Sequence, residues 1–404
     1  MQMRCVLHIG LEKTGTTYIQ NSLYENASEL YADGVYLPER LGISNNWKVP
    51  SYFKSGYEGY NLKKIGVESN EEKKEYFKDF FDDFMYEVKN ARNCDNFLIT
   101  SEHFHSSLRT QIEIDALKSF LDQFFSDYLV ICYFREQSAL AKSLYSTHLK
   151  SGATNTFDSF LETVVPENYY YNFLQIAKQW AQAFGADNCC FRVYDHSAFI
   201  GKDIFADFLH AIGVASFKSI TPIQARVNHS LSPMQCILLR KLNEIIPHWN
   251  DKRGISEVNK NLKEQLLNLD FAKKAHLDLF DTKPVYQKFE KINTEFEQKY
   301  LPDARLPLLE RAITQPETKY ASGEVVSMLL EIEEMFLLEV KKHERVKVEE
   351  RPAALKKIID VLDYKVHKWI SETSLAPAAT RKKFQPITER RRAKLMRKYN
   401  SIDF

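Results

Sequence analysis

Residues 4–23, RCVLHIGLEKTGTTYIQNSL, decide how the rest of the chain is read. Cys5 to Ile9 form a short apolar run of β-prone residues that stops at Gly10. Thr16 to Leu23 then reads as a helix with Ile19 and Leu23 on one face. A strand, a glycine-bounded turn and a helix N-terminus aim several main-chain N–H groups and the positive end of a helix dipole at one small volume. That arrangement holds anions.

The familiar nucleotide-binding form of this turn is GxxxxGK[ST], with lysine directly after the second glycine. Here the spacing from Gly10 to Gly15 is kept, but Thr16 stands in the lysine position and the cation has moved upstream to Lys13. Lys13 must therefore approach from within the turn, while Thr16 and Thr17 offer hydroxyl and main-chain donors that need no metal. The string LEKTGTTYIQ resembles the 5′-phosphosulfate loop of sulfotransferases that use 3′-phosphoadenosine 5′-phosphosulfate (PAPS). Those enzymes usually carry proline before the lysine, where this chain has Glu12. The resemblance implies that Gly10, Lys13, Thr14, Gly15, Thr16 and Thr17 hold the donor's phosphosulfate, with Lys13 also acting on the leaving group.

Three further strands carry the resemblance downstream. Asn96 to Thr100 reads as a parallel strand, followed at once by Glu102, His103 and His105. In open parallel sheets ligands sit beyond the carboxyl ends of the strands, so these groups are placed for acid–base work. Relatives set a glutamate or histidine general base just after this strand; among these three the sequence leaves the choice open, as it does a capping role for Glu102 and His103. Tyr128 to Phe134 is the continuous apolar run expected of a central strand, and Arg135 follows it, with Ser143 in the next helix. The matching arginine and serine of relatives hold the nucleotide's 3′-phosphate, as a guanidinium fork and a hydroxyl suit. Cys189 to Asp195 is a fourth strand whose end, Tyr194-Asp195, resembles an element beside the adenine. Arg226, Asn228 and Ser230, in RVNHSLS, resemble a segment that covers the nucleotide, while Ser232 before Pro233 equally fits a helix cap.

Elsewhere the patterning is plainer. Residues 24–70 read as a long irregular stretch rich in aromatics (Trp47, Tyr52, Phe53, Tyr57 and Tyr60), suited either to a binding loop or to an aromatic satellite cluster. Glu71 to Val88 has the spacing of one amphipathic helix, with Tyr76, Phe77, Phe80, Phe81, Phe84 and Val88 on its core side. Lys283 to Tyr300 resembles the helix that closes the nucleotide domain of such enzymes. Beyond it lie apolar helical patterns at 324–340 and 355–370, able to pack on the main domain or to pair two subunits as a homodimer. Residues 380–400 carry nine Lys/Arg against one acidic residue, a solvated tail or a contact for an anionic membrane surface.

Composition sets the outer bounds. With 44% hydrophobic residues, 13% of the chain aromatic, a sizeable core is affordable and wholesale disorder is excluded. Lys+Arg and Asp+Glu balance at 55 and 54, which argues for no specific nucleic-acid partner. The six cysteines show no CxxC pair and no zinc-ligand spacing, and no motif calls for a metal. No apolar run is long enough to span a bilayer, and a phosphate loop starting at residue 10 leaves no room for a signal peptide, so the expected compartment is cytoplasmic.

The expected architecture is a P-loop three-layer α/β/α domain with a central parallel sheet over 1–301, plus a helical C-terminal extension over 302–404. The implied activity is transfer of a sulfuryl group from PAPS to an acceptor hydroxyl, with a glycan or glycolipid suggested by the aromatic stretch at 47–60. A P-loop nucleotide kinase is the alternative, opposed by Thr16; a non-catalytic nucleotide-binding module is the other, opposed by the retention of Lys13, Glu102, Arg135 and Ser143.

Overall fold

The computed structural model describes residues 3–214, 231–249, 255–268, 282–302 and 304, with isolated positions further on. In chain order the elements are β1 (Arg4–His8), α1 (Thr16–Glu25), α2 (Ala27–Ala32), β2 (Val35–Tyr36), α3 (Lys48–Phe53), α4 (Tyr60–Lys64), α5 (Asn70–Tyr76) and α6 (Phe80–Asn90). There follow β3 (Asn96–Thr100), α7 (His103–Ser107), α8 (Gln111–Leu121), β4 (Asp127–Phe134), α9 (Gln137–Lys150), α10 (Phe157–Leu161), α11 (Phe173–Phe184), β5 (Cys189–Val193) and α12 (Ile204–Ile212). Helices α13 (Pro233–Ile245), α14 (Glu257–Asn268) and α15 (Lys283–Tyr300) complete the described chain.

The five strands form one all-parallel sheet in the order β2-β3-β1-β4-β5. This is an α/β fold with helices on both faces. Strand parity explains the layering. Val6, Leu98, Ile131 and Tyr133 point to one face, where Ile19 and Leu23 of α1, Leu30 of α2 and Phe205, Phe208 and Ile212 of α12 complete a buried cluster. Their neighbours point the other way. Phe97 meets Phe84 of α6 at 5.7 Å between ring centroids, and Phe134 meets Phe173 of α11 at 5.0 Å and Phe296 of α15 at 4.7 Å.

The described chain separates into two compact units. The first takes in residues 3–141, 161–214 and 282–304 and contains the whole sheet; the second takes in 142–160, 231–249 and 255–268. In the first, α15 is anchored by a reciprocal amide pair: Gln137 Nε2 donates to Asn293 Oδ1 at 2.9 Å and Asn293 Nδ2 returns to Gln137 Oε1 at 2.8 Å, both residues being buried. In the second, Asn243 Nδ2 donates to the carbonyls of Leu149 and Ala153 at 2.8 and 2.9 Å.

Two readings of the sequence are corrected. Residues 24–70 are not one irregular stretch: they contain α2, β2, α3 and α4. Tyr52 of α3 stacks on Phe80 at 4.1 Å and Phe53 packs edge-on to the same ring at 6.1 Å, so these two aromatics belong to a satellite core. Residues 71–88 are two helices, broken at 77–79. The break turns both Phe77 and Phe80 onto Tyr52, at 5.6 and 4.1 Å, and leaves Tyr76 and Phe81 43% and 44% exposed. The buried set is Phe77, Phe80 and Phe84.

The segments at 215–230 and 305–385 lie outside the described residues, and with them Arg226, Asn228, Ser230 and the helices expected at 324–340 and 355–370. Among the described residues no helix is long and apolar enough to cross a membrane.

Candidate active site

Connections from β1 run toward β3, and those from β4 toward β5, so the strand order reverses between β1 and β4. Crevices form beyond the carboxyl ends of strands at such a point. The loop from Gly10 to Gly15 leaves β1 there, Glu102 follows β3, Arg135 follows β4 and Tyr194 follows β5.

The loop's shape follows from three left-handed residues. Gly10 has φ 68° because a Cβ there would lie 2.7 Å from the Glu102 Cα; only glycine lets the loop pass so close to the next strand's end. Gly15, φ 74°, sits at the start of α1, where a Cβ would press on Ile204 and Tyr194 at 3.3 and 3.4 Å. Between them Lys13 takes φ 67° although it carries a side chain, a conformation costing about 1–2 kcal/mol that its surroundings must hold. Arg135 supplies one hold, donating from Nη1 to the Lys13 carbonyl at 3.1 Å. Thr14 supplies another, its buried hydroxyl donating to the Leu11 carbonyl at 2.6 Å. Its side chain therefore shapes the loop.

The first helical turn closes when Tyr18 and Ile19 donate to the Gly15 carbonyl at 2.9 and 3.0 Å. The N–H groups of Lys13, Thr14, Gly15, Thr16 and Thr17 find no acceptor among the described residues. The cations around them are equally open. Burial lowers the Lys13 ammonium below the usual lysine range, Glu12 and Glu102 push it back up, and Arg135 adds to the lowering. Burial likewise lowers the Arg135 guanidinium, which lies 5.4 Å from the centre of the Tyr194 ring. Neither cation has a carboxylate at ion-pair distance among the described residues. Desolvating a charge costs several kcal/mol unless a partner compensates. Two desolvated cations beside five open N–H groups make a cradle for a multiply charged anion.

Glu102 borders this cradle. Its Oε2 accepts from Gln20 Nε2 of α1 at 2.6 Å, and its side chain makes no cap contact with α7. One carboxylate oxygen is thus pinned while the other stays open, the geometry of an oriented base. Gln20 is a site residue that sequence reading passed over. The available signal was a polar residue one turn after Thr16, beside Ile19 on the buried side of α1. The backbone before Glu102 is held as well: buried Asn46 accepts from the Thr100 N–H at 2.9 Å and donates to Tyr24, Pro38 and Gly42.

The other candidates divide clearly. His103 is half-buried, and its N–H meets the Ser101 hydroxyl at 3.3 Å. His105 is fully buried; its Nε2 lies 2.9 Å from the Tyr170 carbonyl, which can only accept, so Nε2 carries the proton. Burial holds its imidazole down at about 4, a neutral ring inside the protein rather than a base facing substrate. Tyr194 donates its N–H to the Phe134 carbonyl at 2.8 Å, which ties its ring's position to β4. Ser143 lies on α9 within the second compact unit.

No protein-family model matches the chain. Over 115 residues it is 26% identical to an uncharacterized protein of Archaeoglobus fulgidus, a match covering 28% of this chain and 30% of that protein. The match thus spans less than a third of that relative's length. Among solved structures, a sulfotransferase from Alicyclobacillus acidocaldarius is similar over 52% of this chain and 81% of its own, at 14% identity and a TM-score of 0.35. What the chain can do chemically therefore rests on its own residues.

Proposed function

We propose that the protein transfers a sulfuryl group from PAPS to an acceptor hydroxyl. The observation that carries this reading is the cradle itself: Lys13 and Arg135 without an ion-pair partner among the described residues, five open N–H groups, and a pinned carboxylate reached across the Gly10 contact. The acceptor oxygen would attack sulfur in line while Glu102, or His103, takes its proton. The bond from sulfur to the bridging 5′-phosphate oxygen breaks, and adenosine 3′,5′-bisphosphate leaves. Charge grows on that bridging oxygen, where Lys13 and the loop amides are preorganised to meet it. Arg135 would take the 3′-phosphate, with Tyr194 beside the adenine. A glycan or glycolipid is the acceptor class we favour.

Calorimetric titration tests the reading. Adenosine 3′,5′-bisphosphate should bind far more tightly than adenosine 5′-monophosphate, because a guanidinium reads the extra phosphate. Equal affinities would remove the proposal, and Mg²⁺-dependent ATP turnover would replace it with a kinase.

A further inference from the structure

Glu12 joins the cradle to a buried aromatic brace. Tyr170, in the helical turn Tyr169–Tyr171, donates its hydroxyl to Glu12 Oε2 at 2.9 Å. The Tyr170 carbonyl takes the Nε2 proton of His105 at 2.9 Å, and the two rings lie 4.3 Å apart. His105 belongs to α7, the helix that Glu102 precedes. One continuous set of contacts thus runs from the residue beside Lys13, through Tyr170 and His105, to the element that carries the candidate base.

We infer that Glu12, clamped by Tyr170, is a positioning residue that keeps Lys13 charged through the whole transfer step. The inference rests on reading the cradle as the phosphosulfate site. Two carboxylates favour the charged ammonium, Glu12 more strongly than Glu102, against burial and Arg135. Their behaviour during transfer differs. Glu102, once it accepts the acceptor's proton, is neutral and no longer supports Lys13. That loss falls at the moment when charge develops on the leaving phosphate. Glu12 has no part in the proton transfer, so its charge stays. The Tyr170 hydroxyl keeps that charge close by instead of letting it swing into water, where screening would weaken it. Among the described residues, the titratable groups interacting with Glu12 besides Lys13 are Tyr170, Tyr171 and His105; the two phenols are protonated at neutral pH and burial raises them further, while burial holds His105 neutral at about 4.

Two variants of the full chain separate charge from clamp. Glu12→Gln can still accept from Tyr170 but has no charge, whereas Tyr170→Phe keeps the charge and frees it. Pulse acylation of Lys13 by an amine-reactive anhydride, read by peptide mass spectrometry against pH, reports the neutral fraction of that ammonium without any nucleotide. In Glu12→Gln the profile should move down by about one pH unit, and in Tyr170→Phe by less in the same direction. Adenosine 3′,5′-bisphosphate affinity should fall off at correspondingly lower pH in both. Profiles that superimpose on wild type overturn the inference, even if the variants melt earlier, since a purely structural brace would change stability and leave Lys13 unmoved. Failure of the unaltered protein to bind the bisphosphate at any pH would instead remove the sulfotransferase reading, and the acylation profiles would still decide the role of Glu12.

Discussion

Glu102 is held by one oxygen and open at the other, which makes its chemistry separable from its placement. Glu102→Gln keeps the size and the reach toward Gln20 but cannot accept a proton. It should bind adenosine 3′,5′-bisphosphate as wild type does and transfer sulfate about 10² to 10⁴ times more slowly. His103→Ala should be milder; the reverse ranking would hand the role to His103. Lys13→Ala removes the cation nearest the loop amides, and turnover at saturating donor should drop roughly a hundredfold, or about 2.7 kcal/mol of barrier. Wild-type turnover would make Lys13 a solvated turn residue. Lys13, Glu102 and Arg135 were legible in the sequence because a motif spacing and three strand ends marked them. Gln20, Glu12 and Tyr170 were not, since their roles come from contacts 82 and 158 residues apart that no local pattern records.

At the scale of an element, the turn between β1 and α1 depends on a backbone passing within reach of the next strand's end. Gly10 and Gly66 both have positive φ, at 68° and 82°, but a Cβ on Gly10 meets the Glu102 backbone at 2.7 Å and one on Gly66 meets nothing within 4 Å. Gly66→Ala should therefore cost only the left-handed backbone term, about 1–2 kcal/mol in denaturant unfolding, with nucleotide binding intact. Gly10→Ala adds a steric term of about 1–3 kcal/mol and shifts Glu102, so binding and transfer should fall together. Equal stability losses in the two variants would mean that the close approach is relaxed in solution. The same contrast explains what could be read in advance. Strands β1, β3 and β4 are largely apolar runs buried on both sides, and such runs announce themselves. The edge strand β5 is half-buried over its first four residues and is marked by its apolar, β-prone composition. Strand β2 has two residues and pairs only through Val35 and Tyr36, too short for any periodicity. The break at 77–79 is set by packing on Tyr52, which lies outside the helix that the period of Phe77, Phe80 and Phe84 suggested.

Across the whole sheet, two imidazoles are sealed inside the first unit. His8, last in β1, bonds through Nδ1 to the Thr100 hydroxyl at 2.8 Å, and burial holds it down at about 3; His105 is held at about 4 for the same reason. Unfolded, both would titrate at the ordinary histidine value of 6.5. Below that pH the unfolded chain binds two protons that the folded chain refuses, so stability falls as pH falls. Each imidazole contributes a slope of about 1.4 kcal/mol per pH unit. The His105 slope should end near pH 4 and the His8 slope near pH 3, where the folded forms begin to protonate. Carboxylates act lower on the scale. Burial would raise Glu113, but the N–H groups of Ser55, Arg109 and Thr110 outweigh it and hold it below its ordinary 4.5, so its stabilisation is lost only as pH drops beneath that value. The window between pH 6.5 and 4.5 therefore isolates the histidines. Burial also lowers His248, which adds to the same slope. Denaturant unfolding across this window should show His105→Gln and His8→Gln each removing about 1.4 kcal/mol per pH unit from the wild-type slope, whatever stability each loses at neutral pH. An unchanged slope in either variant would mean that water reaches the imidazole in the folded state, and for His105 it would also loosen the brace that runs through Tyr170 to Glu12.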